Sequence, residues 1–170
     1  HYWCELAQMA DDQHHPDEAE RALQQALNAD PSSARPWVLQ GQRLARAHRP
    51  AEAFEAWNEL RRRDPASFTL VANDSAAAAI AAGRAADAKA ALEKLLADAP
   101  RLDFLSAWAR LEADPAVAAN RYRDMLHAHP TLSAAREVLQ QPAIASSAKA
   151  AGPLAEQSLA DVRTAVTRAA

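Results

Sequence analysis

The sequence predicts an all-α protein made of repeated pairs of helices. Hydrophobic residues make up 49 % of the chain but aromatic residues only 5 %, because much of the apolar content is alanine, the strongest helix former. The chain contains only three glycines and no alternating runs of valine, isoleucine and threonine, which argues against strands. Four prolines recur at intervals of 34, 35 and 30 residues: Pro31, Pro65, Pro100 and Pro130.

Two further positions repeat in step with these prolines. Twelve residues before each proline stands an alanine, and eight residues before it stands a large side chain: Ala19, Ala53, Ala88 and Ala118, then Leu23, Trp57, Leu92 and Tyr122. A period near 34 residues with these residue types in fixed order is typical of tetratricopeptide repeats. The sequence therefore predicts a tetratricopeptide-repeat α-solenoid of about four helix-turn-helix repeats plus C-terminal helices. We assign residues 1–141 to the solenoid, 142–153 to a linker and 154–170 to a C-terminal capping helix.

The first repeat contains two helices and a polar turn. Its first helix carries Trp3 and Ala7, and a break at Asp11–Pro16 follows. Pro16 opens the second helix, because proline is tolerated in the first turn, where its missing N–H has no partner to lose. This helix ends before Pro31.

The second repeat, Ala34 to Pro65, fits the consensus best. Trp37 and Gly41 follow Trp3 and Ala7 by 34 residues, at two signature positions of the repeat. We expect Gly41 to allow a close approach between the two helices of this repeat, and Trp57 to fill the gap to the next repeat. Pro50 opens the second helix.

The third and fourth repeats depart from the pattern. In the third, a helix over Phe68–Ala82 ends at Gly83, which suits a helix C-cap, and Ala85–Ala97 forms the second helix. The fourth is short, with helices over Leu102–Glu112 and from the turn at Asp114-Pro115 to His129.

Three helical or linking segments follow the fourth repeat. A further helix is predicted over Leu132–Gln140. Residues 142–153 are rich in alanine and serine and are interpreted as a linker. Residues 154–170 carry apolar residues at near-helical spacing, which predicts an amphipathic helix that caps the stack.

Charge and cysteine content exclude several classes of function. The net charge of −3 argues against nucleic acid as a partner, since binding to phosphates requires a basic surplus. The single cysteine, Cys4, excludes an internal disulfide and a zinc site made of several cysteines. No apolar stretch approaches the ~20 residues of a membrane span, and the lone cysteine fits a reducing compartment.

No residue constellation predicts catalysis, a metal site or a cofactor. His14 and His15 lie beside acidic residues, but adjacent histidines point in different directions, so a polar turn is favoured. Cys4 lies inside a helix without a neighbouring cation, which favours packing or groove lining over reactivity. Core packing is predicted for Trp3, Trp37 and Trp57, and the role of Trp108 is left open.

The expected site is instead a groove that binds protein segments. In this fold the first helix of each repeat lines the concave surface, and residues about four apart project into it. The partner-binding candidates are therefore Glu5, Gln8 and Asp12 in the first repeat, and Arg35, Val38, Gln42 and Arg46 in the second. Acids beside arginines suit a polar, partly charged protein segment. The exposed repeat end near His1 is a second candidate surface, for self-association.

Three stretches carry a resemblance to a known family: HYWCELA at residues 1–7, NADPSSAR at residues 28–35 and LHAHPTL at residues 126–132. They resemble the lipopolysaccharide assembly protein B family of Gram-negative bacteria, in the C-terminal half of its repeat region. Scattered similarity covers most of residues 1–140. The first stretch is much more specific than a generic repeat consensus.

The resemblance implies a regulatory scaffold. Members of this family are anchored in the inner membrane by an N-terminal helix, with cytoplasmic repeats and a C-terminal rubredoxin-like zinc domain. They restrain lipopolysaccharide synthesis by bringing the deacetylase that commits precursor to lipid A together with a membrane AAA+ protease. This chain has neither a membrane helix nor a Cys-x-x-Cys pair, so we take it to be a piece of a longer protein. Membrane attachment and metal binding are not carried over to its residues.

Two other functions stay open at this point. One is a generic tetratricopeptide adaptor of another envelope or secretion complex. The other is the repeat region of a glycosyltransferase-type enzyme, whose catalytic domain would lie outside these residues. The sequences that flank this chain would distinguish the three.

Overall fold

The computed structural model describes residues 2–128, and this part of the chain is helical and contains no strand. The predicted all-α class is therefore confirmed. The helices are α1 (Tyr2–Asp12), α2 (Pro16–Ala29), α3 (Ala34–Arg46), α4 (Pro50–Arg63), α5 (Pro65–Phe68), α6 (Ala72–Ala81), α7 (Ala85–Asp98), α8 (Leu102–Leu111) and α9 (Pro115–Ala128). The predicted helix at 132–140, the linker at 142–153 and the capping helix at 154–170 lie outside the described residues.

The described residues fall into two compact units, one that ends at Ala88 and one that begins at Lys89. In the first unit, α1 packs against α2 and α3 packs against α4, while α2 contacts α3 and α4 contacts α6. In the second unit, α8 contacts α9. None of the helices over residues 2–128 is both long enough and apolar enough to cross a bilayer.

Prolines open several helices, as the sequence predicts for the first two repeats. Pro16, Pro50 and Pro65 stand in the first turns of α2, α4 and α5, where a backbone N–H would have no helical acceptor. Asp17 and Glu18 follow Pro16 and complement the positive end of the α2 dipole. These local signals fix the second helix of each early hairpin.

Three turns between paired helices share one backbone geometry. Each turn has one residue in the left-handed region: His14 with φ of 60°, His48 with φ of 57° and Gly83 with φ of 69°. In each case the next N–H bonds to the carbonyl five residues back, at 2.8, 2.9 and 2.7 Å, which is the closing bond of a Schellman motif. Gly83 is thus confirmed as a helix stop. The three positions are 34 and 35 residues apart, the same spacing as the prolines.

The prediction of one continuous helix over Phe68–Ala82 is wrong. The chain instead forms α5, a turn at Thr69–Val71, and α6. Within that turn the N–H groups of Thr69, Leu70 and Val71 each bond to a carbonyl three residues back. Such bonds tighten the backbone and end an α-helix.

Side chains around this turn explain the difference. The Asp64 carboxylate accepts a hydrogen bond of 3.0 Å from the N–H of Ser67, which caps α5 and starts it earlier than predicted. The Thr69 hydroxyl donates to the Ala66 carbonyl at 2.8 Å and stabilises the tightened turn. Apolar periodicity contains no information on either bond.

Helices α3 and α4 meet at Gly41 and Trp57. The Trp57 side chain is 1 % exposed, and a Cβ added to Gly41 would lie 2.2 Å from its Nε1 and 2.3 Å from its Cε2. The indole N–H donates to the Val38 carbonyl at 3.4 Å. The equivalent pair in the first hairpin is Ala7 and Leu23, both 1 % exposed. Here alanine replaces the glycine and adds a methyl group, and leucine, which is smaller than tryptophan, replaces the indole.

We predict that Gly41→Ala lowers the free energy of unfolding by about 1–3 kcal/mol, because the methyl overpacks the indole. Urea denaturation followed by circular dichroism measures this change. The double variant Gly41→Ala/Trp57→Leu reproduces the pair found in the first hairpin, so it is expected to lose less than the two single changes added together. A strictly additive loss would contradict the proposed contact.

We also predict that His48→Gly raises the free energy of unfolding by about 0.5–1 kcal/mol. The left-handed backbone costs a side-chain-bearing residue about 1–2 kcal/mol, and the extra chain entropy of glycine offsets part of the gain. The matched control is Ala47→Gly, where φ is −78° and glycine brings only the entropic loss. Equal effects of the two variants in thermal denaturation would rule out strain at His48.

Candidate functional site

Four of the predicted groove residues, Glu5, Gln8, Arg35 and Val38, lie where α1 faces α3, and Arg35 contacts two of the others. The Arg35 guanidinium lies 2.6 Å from the Glu5 carboxylate and donates a hydrogen bond of 2.8 Å to the Gln8 side chain. Val38, one turn further along α3, is half-buried and offers its carbonyl to Trp57. Arg35 is therefore already engaged within the chain.

The sequence missed the most buried ion pair of this region, which Asp11 and Arg43 form. Arg43 Nε donates to Asp11 Oδ1 at 2.8 Å, Nη1 to Glu20 at 2.6 Å and Nη2 to the Pro16 carbonyl at 2.8 Å. The Arg43 side chain is 14 % exposed and the Asp11 side chain 19 %. This one guanidinium therefore ties α3 to both α1 and α2.

Asp12 and Arg46 remain at the surface. Asp12 is exposed, and it is Asp11 rather than Asp12 that faces the arginines of α3. Arg46 keeps 66 % of its side chain exposed, with Nη2 3.9 Å from Asp11 Oδ2 and Nε 3.4 Å from the Gln42 carbonyl. Because Asp11 is already bonded to Arg43, Arg46 is held only loosely.

Arg46 and Gln42 line a groove between α3, α4 and α6. Its volume is about 610 Å³, within the ~300–1,000 Å³ typical of ligand clefts. The apolar part of the lining consists of Ala45, Pro50, Trp57, Ala77, Ala78 and Ala81, and the polar part of Gln42, Arg46, His48 and Asp74. We call this cleft the α3–α6 groove.

The polar groups of the α3–α6 groove differ from their surroundings. Within residues 2–128, the side chains of Gln42, His48 and Asp74 have no hydrogen-bond or ionic partner. Neighbouring charges are paired: the Arg84 guanidinium, for example, contacts both Glu55 and Asp87 and lies 4.9 Å from the centre of the Phe54 ring. The groove therefore presents uncommitted polar groups beside an apolar floor.

Cys4 and the two histidines of the first turn have structural surroundings. Cys4 is 4 % exposed in a cluster with Ala7 and Leu23, and burial raises the pKa of its thiol. His14 adopts the left-handed turn conformation, and His15 lies 3.6 Å from Glu18. In the described part of the chain, no three His, Cys, Asp or Glu side chains converge as metal ligands.

The tryptophans occupy different environments. Trp57 is buried as predicted, and Trp37 is half-buried with the Arg63 guanidinium 5.4 Å from its ring centre. The prediction of core packing is wrong for Trp3, which is 37 % exposed and contacts Tyr2 edge to face. Its neighbours Tyr2 and Leu6 are also exposed, at 69 % and 36 %, so this end of α1 is only partly covered.

Trp108 belongs to the interior of the second unit. It is 2 % exposed, and its indole N–H donates to Glu93 at 3.1 Å. Lys89 Nζ and Arg121 Cζ lie over the ring, 5.2 and 5.1 Å from its centre. The hydrogen bond from Lys89 also lowers the pKa of the Glu112 carboxyl. These contacts give Trp108 a packing role, which the sequence left open.

Comparison with known proteins yields no match to a family model, and no curated protein matches the chain significantly. The resemblance to the lipopolysaccharide assembly protein B family therefore depends on the residues quoted above alone.

We predict that Arg43→Gln lowers the free energy of unfolding by about 2–3 kcal/mol, because it removes the cation that Asp11 and Glu20 share at hydrogen-bonding distance. The loss is less than the ~3–5 kcal/mol of a fully buried pair, since water still reaches the site. Arg21→Gln is the matched control, because Arg21 is exposed and, among residues 2–128, donates only to the Asp17 carbonyl of its own helix. Equal urea midpoints for the two variants would contradict the role assigned to Arg43.

Proposed function

We propose that this chain is a non-catalytic scaffold that binds protein segments, built from tetratricopeptide repeats in an α-solenoid. The main support is the recurrence of one turn geometry at His14, His48 and Gly83, in phase with the repeated prolines. The sequence repeat and the repeated turn geometry thus have the same spacing of 34 and 35 residues. Repeat arrays of this kind present extended surfaces for protein partners.

The α3–α6 groove supports binding as the activity. Its floor is apolar, whereas Gln42 and Asp74 offer polar groups without partners in the described residues. By contrast, the Cys4 thiol is buried and its pKa is raised, which disfavours it as a nucleophile. A surface of this kind recognises a ligand by contact and charge.

By resemblance, we propose that the bound proteins are the deacetylase that commits precursor to lipid A and the membrane AAA+ protease that degrades it. The support is the specific stretch HYWCELA at residues 1–7, together with residues 28–35 and 126–132. The scaffold would act on the cytoplasmic side of the inner membrane. Docking both proteins on one chain raises their effective mutual concentration without any chemistry of the scaffold.

The test is a titration of the purified chain into the purified deacetylase, followed by isothermal titration calorimetry. We predict binding with Kd about 1 μM or tighter, a free energy of about −8 kcal/mol. The variant Arg46→Glu is expected to weaken binding at least tenfold, because it reverses an exposed charge of the groove. Adding the cytoplasmic part of the protease is then expected to give a ternary complex in sedimentation velocity.

Arg21→Glu is the control for the charge reversal, since Arg21 lies on α2 and outside the groove. Tight binding that Arg46→Glu leaves unchanged would keep the scaffold role but exclude this groove. Absence of binding to the deacetylase, with the helical signal intact, would contradict the proposed partner.

A further inference from the structure

We infer that the α3–α6 groove recognises a peptide segment in which an apolar side chain is accompanied by one acidic and one basic residue. This deepens the proposed function, on which it rests, by naming the chemistry of the bound segment. The inference depends on three features of the groove: its floor, Arg46 on one wall and Asp74 on another.

The floor is apolar and built from small side chains. The exposed methyl groups of Ala77 and Ala81 supply much of its accessible surface, whereas Trp57 and Ala78, at 1 % and 7 % exposed, only border it. Small side chains allow a ligand to approach the helices closely, and apolar contacts supply most of the affinity of such clefts. An aliphatic or aromatic side chain of a peptide fits this floor.

Arg46 supplies a cation that the protein itself hardly uses. Its closest carboxylate is 3.9 Å away, on Asp11, and that carboxylate is already bonded to Arg43. Pairing with a ligand therefore breaks no strong contact of Arg46. A guanidinium recognises a carboxylate through two parallel hydrogen bonds, so an acidic residue of the ligand is the matching group.

Asp74 supplies the opposite charge on the wall formed by α6. It is exposed in the first turn of that helix and has no ionic partner among the described residues. A lysine or arginine of the ligand is the matching group. Gln42 lies on the opposite wall, and its unpartnered amide can both donate to and accept from a peptide backbone.

The combination favours a peptide over other ligands. A neutral ligand would leave the charges of Arg46 and Asp74 unused, and the Asp74 carboxylate repels a polyphosphate. A peptide with both charges satisfies Arg46 and Asp74 together. The occupant is therefore a protein segment of mixed charge.

The first experiment is a selection of phage-displayed random dodecapeptides on the full chain. The wild type is expected to enrich sequences with an apolar residue between an acidic and a basic one. The variant Arg46→Glu/Asp74→Lys keeps the net charge but reverses both walls, so it is expected to enrich the reverse order of charges. The same enriched sequences on both proteins, or no enrichment, would overturn the inference.

The second experiment measures the affinity of the best enriched peptide by fluorescence anisotropy. Arg46→Ala and Asp74→Ala are each expected to weaken binding about three- to fivefold, the effect of an exposed ion pair, and less so at high salt. Ala77→Trp fills the groove and is expected to abolish binding. The controls are Arg21→Ala and Ala51→Trp, an exposed alanine of α4 outside the groove; both should bind as the wild type does.

Melting curves by circular dichroism separate lost binding from lost folding. Unchanged affinity in folded Ala77→Trp would overturn the groove as the site. A dimer that forms at high concentration and disappears in Ala77→Trp would identify a second copy as the occupant and overturn the peptide assignment. If peptides are selected as expected but the deacetylase does not bind, the proposed partner fails while the groove chemistry stands.

Discussion

The close contact between Gly41 and Trp57 is the constraint on which the first unit and its groove depend. Because Gly41 has no Cβ, α3 lies against the indole of Trp57, whose N–H then reaches the Val38 carbonyl. The same indole borders the floor between α3, α4 and α6. Packing inside the second hairpin and the shape of the candidate binding surface therefore have one origin.

Two arginines of α3 hold helices together, whereas the third is free to contact a ligand. Arg43 places all three of its nitrogens on α1 and α2, and Arg35 contacts Glu5 and Gln8 of α1. These contacts hold the first two hairpins together and leave little capacity for a ligand. Arg46, one turn beyond Arg43, points a weakly engaged guanidinium towards solvent. A fold of this kind can dedicate neighbouring turns of one helix to stability and to recognition.

Much of the fold could be predicted because its signals are local. Pro16 and Pro50 mark helix starts, Gly83 marks a stop, and small–large pairs such as Gly41 and Trp57 mark contacts between helices. Two predictions failed where contacts between distant residues or individual side chains determine the structure. The break between α5 and α6 follows from capping by individual side chains, and the choice of Asp11 over Asp12 depends on which face of α1 packs against α3. Periodicity determines neither, and it also cannot tell which face of α1 around Trp3 is covered.

The central claim is that the α3–α6 groove is where a protein partner docks. Hydrogen–deuterium exchange, measured by mass spectrometry with and without saturating deacetylase, tests it most directly, since bound segments open less often and exchange more slowly. The account predicts slower exchange over residues 42–50 and 72–81, with little change in α8, which lies in the second unit. Unchanged exchange in both segments, with protection confined to other parts of the chain, would contradict it.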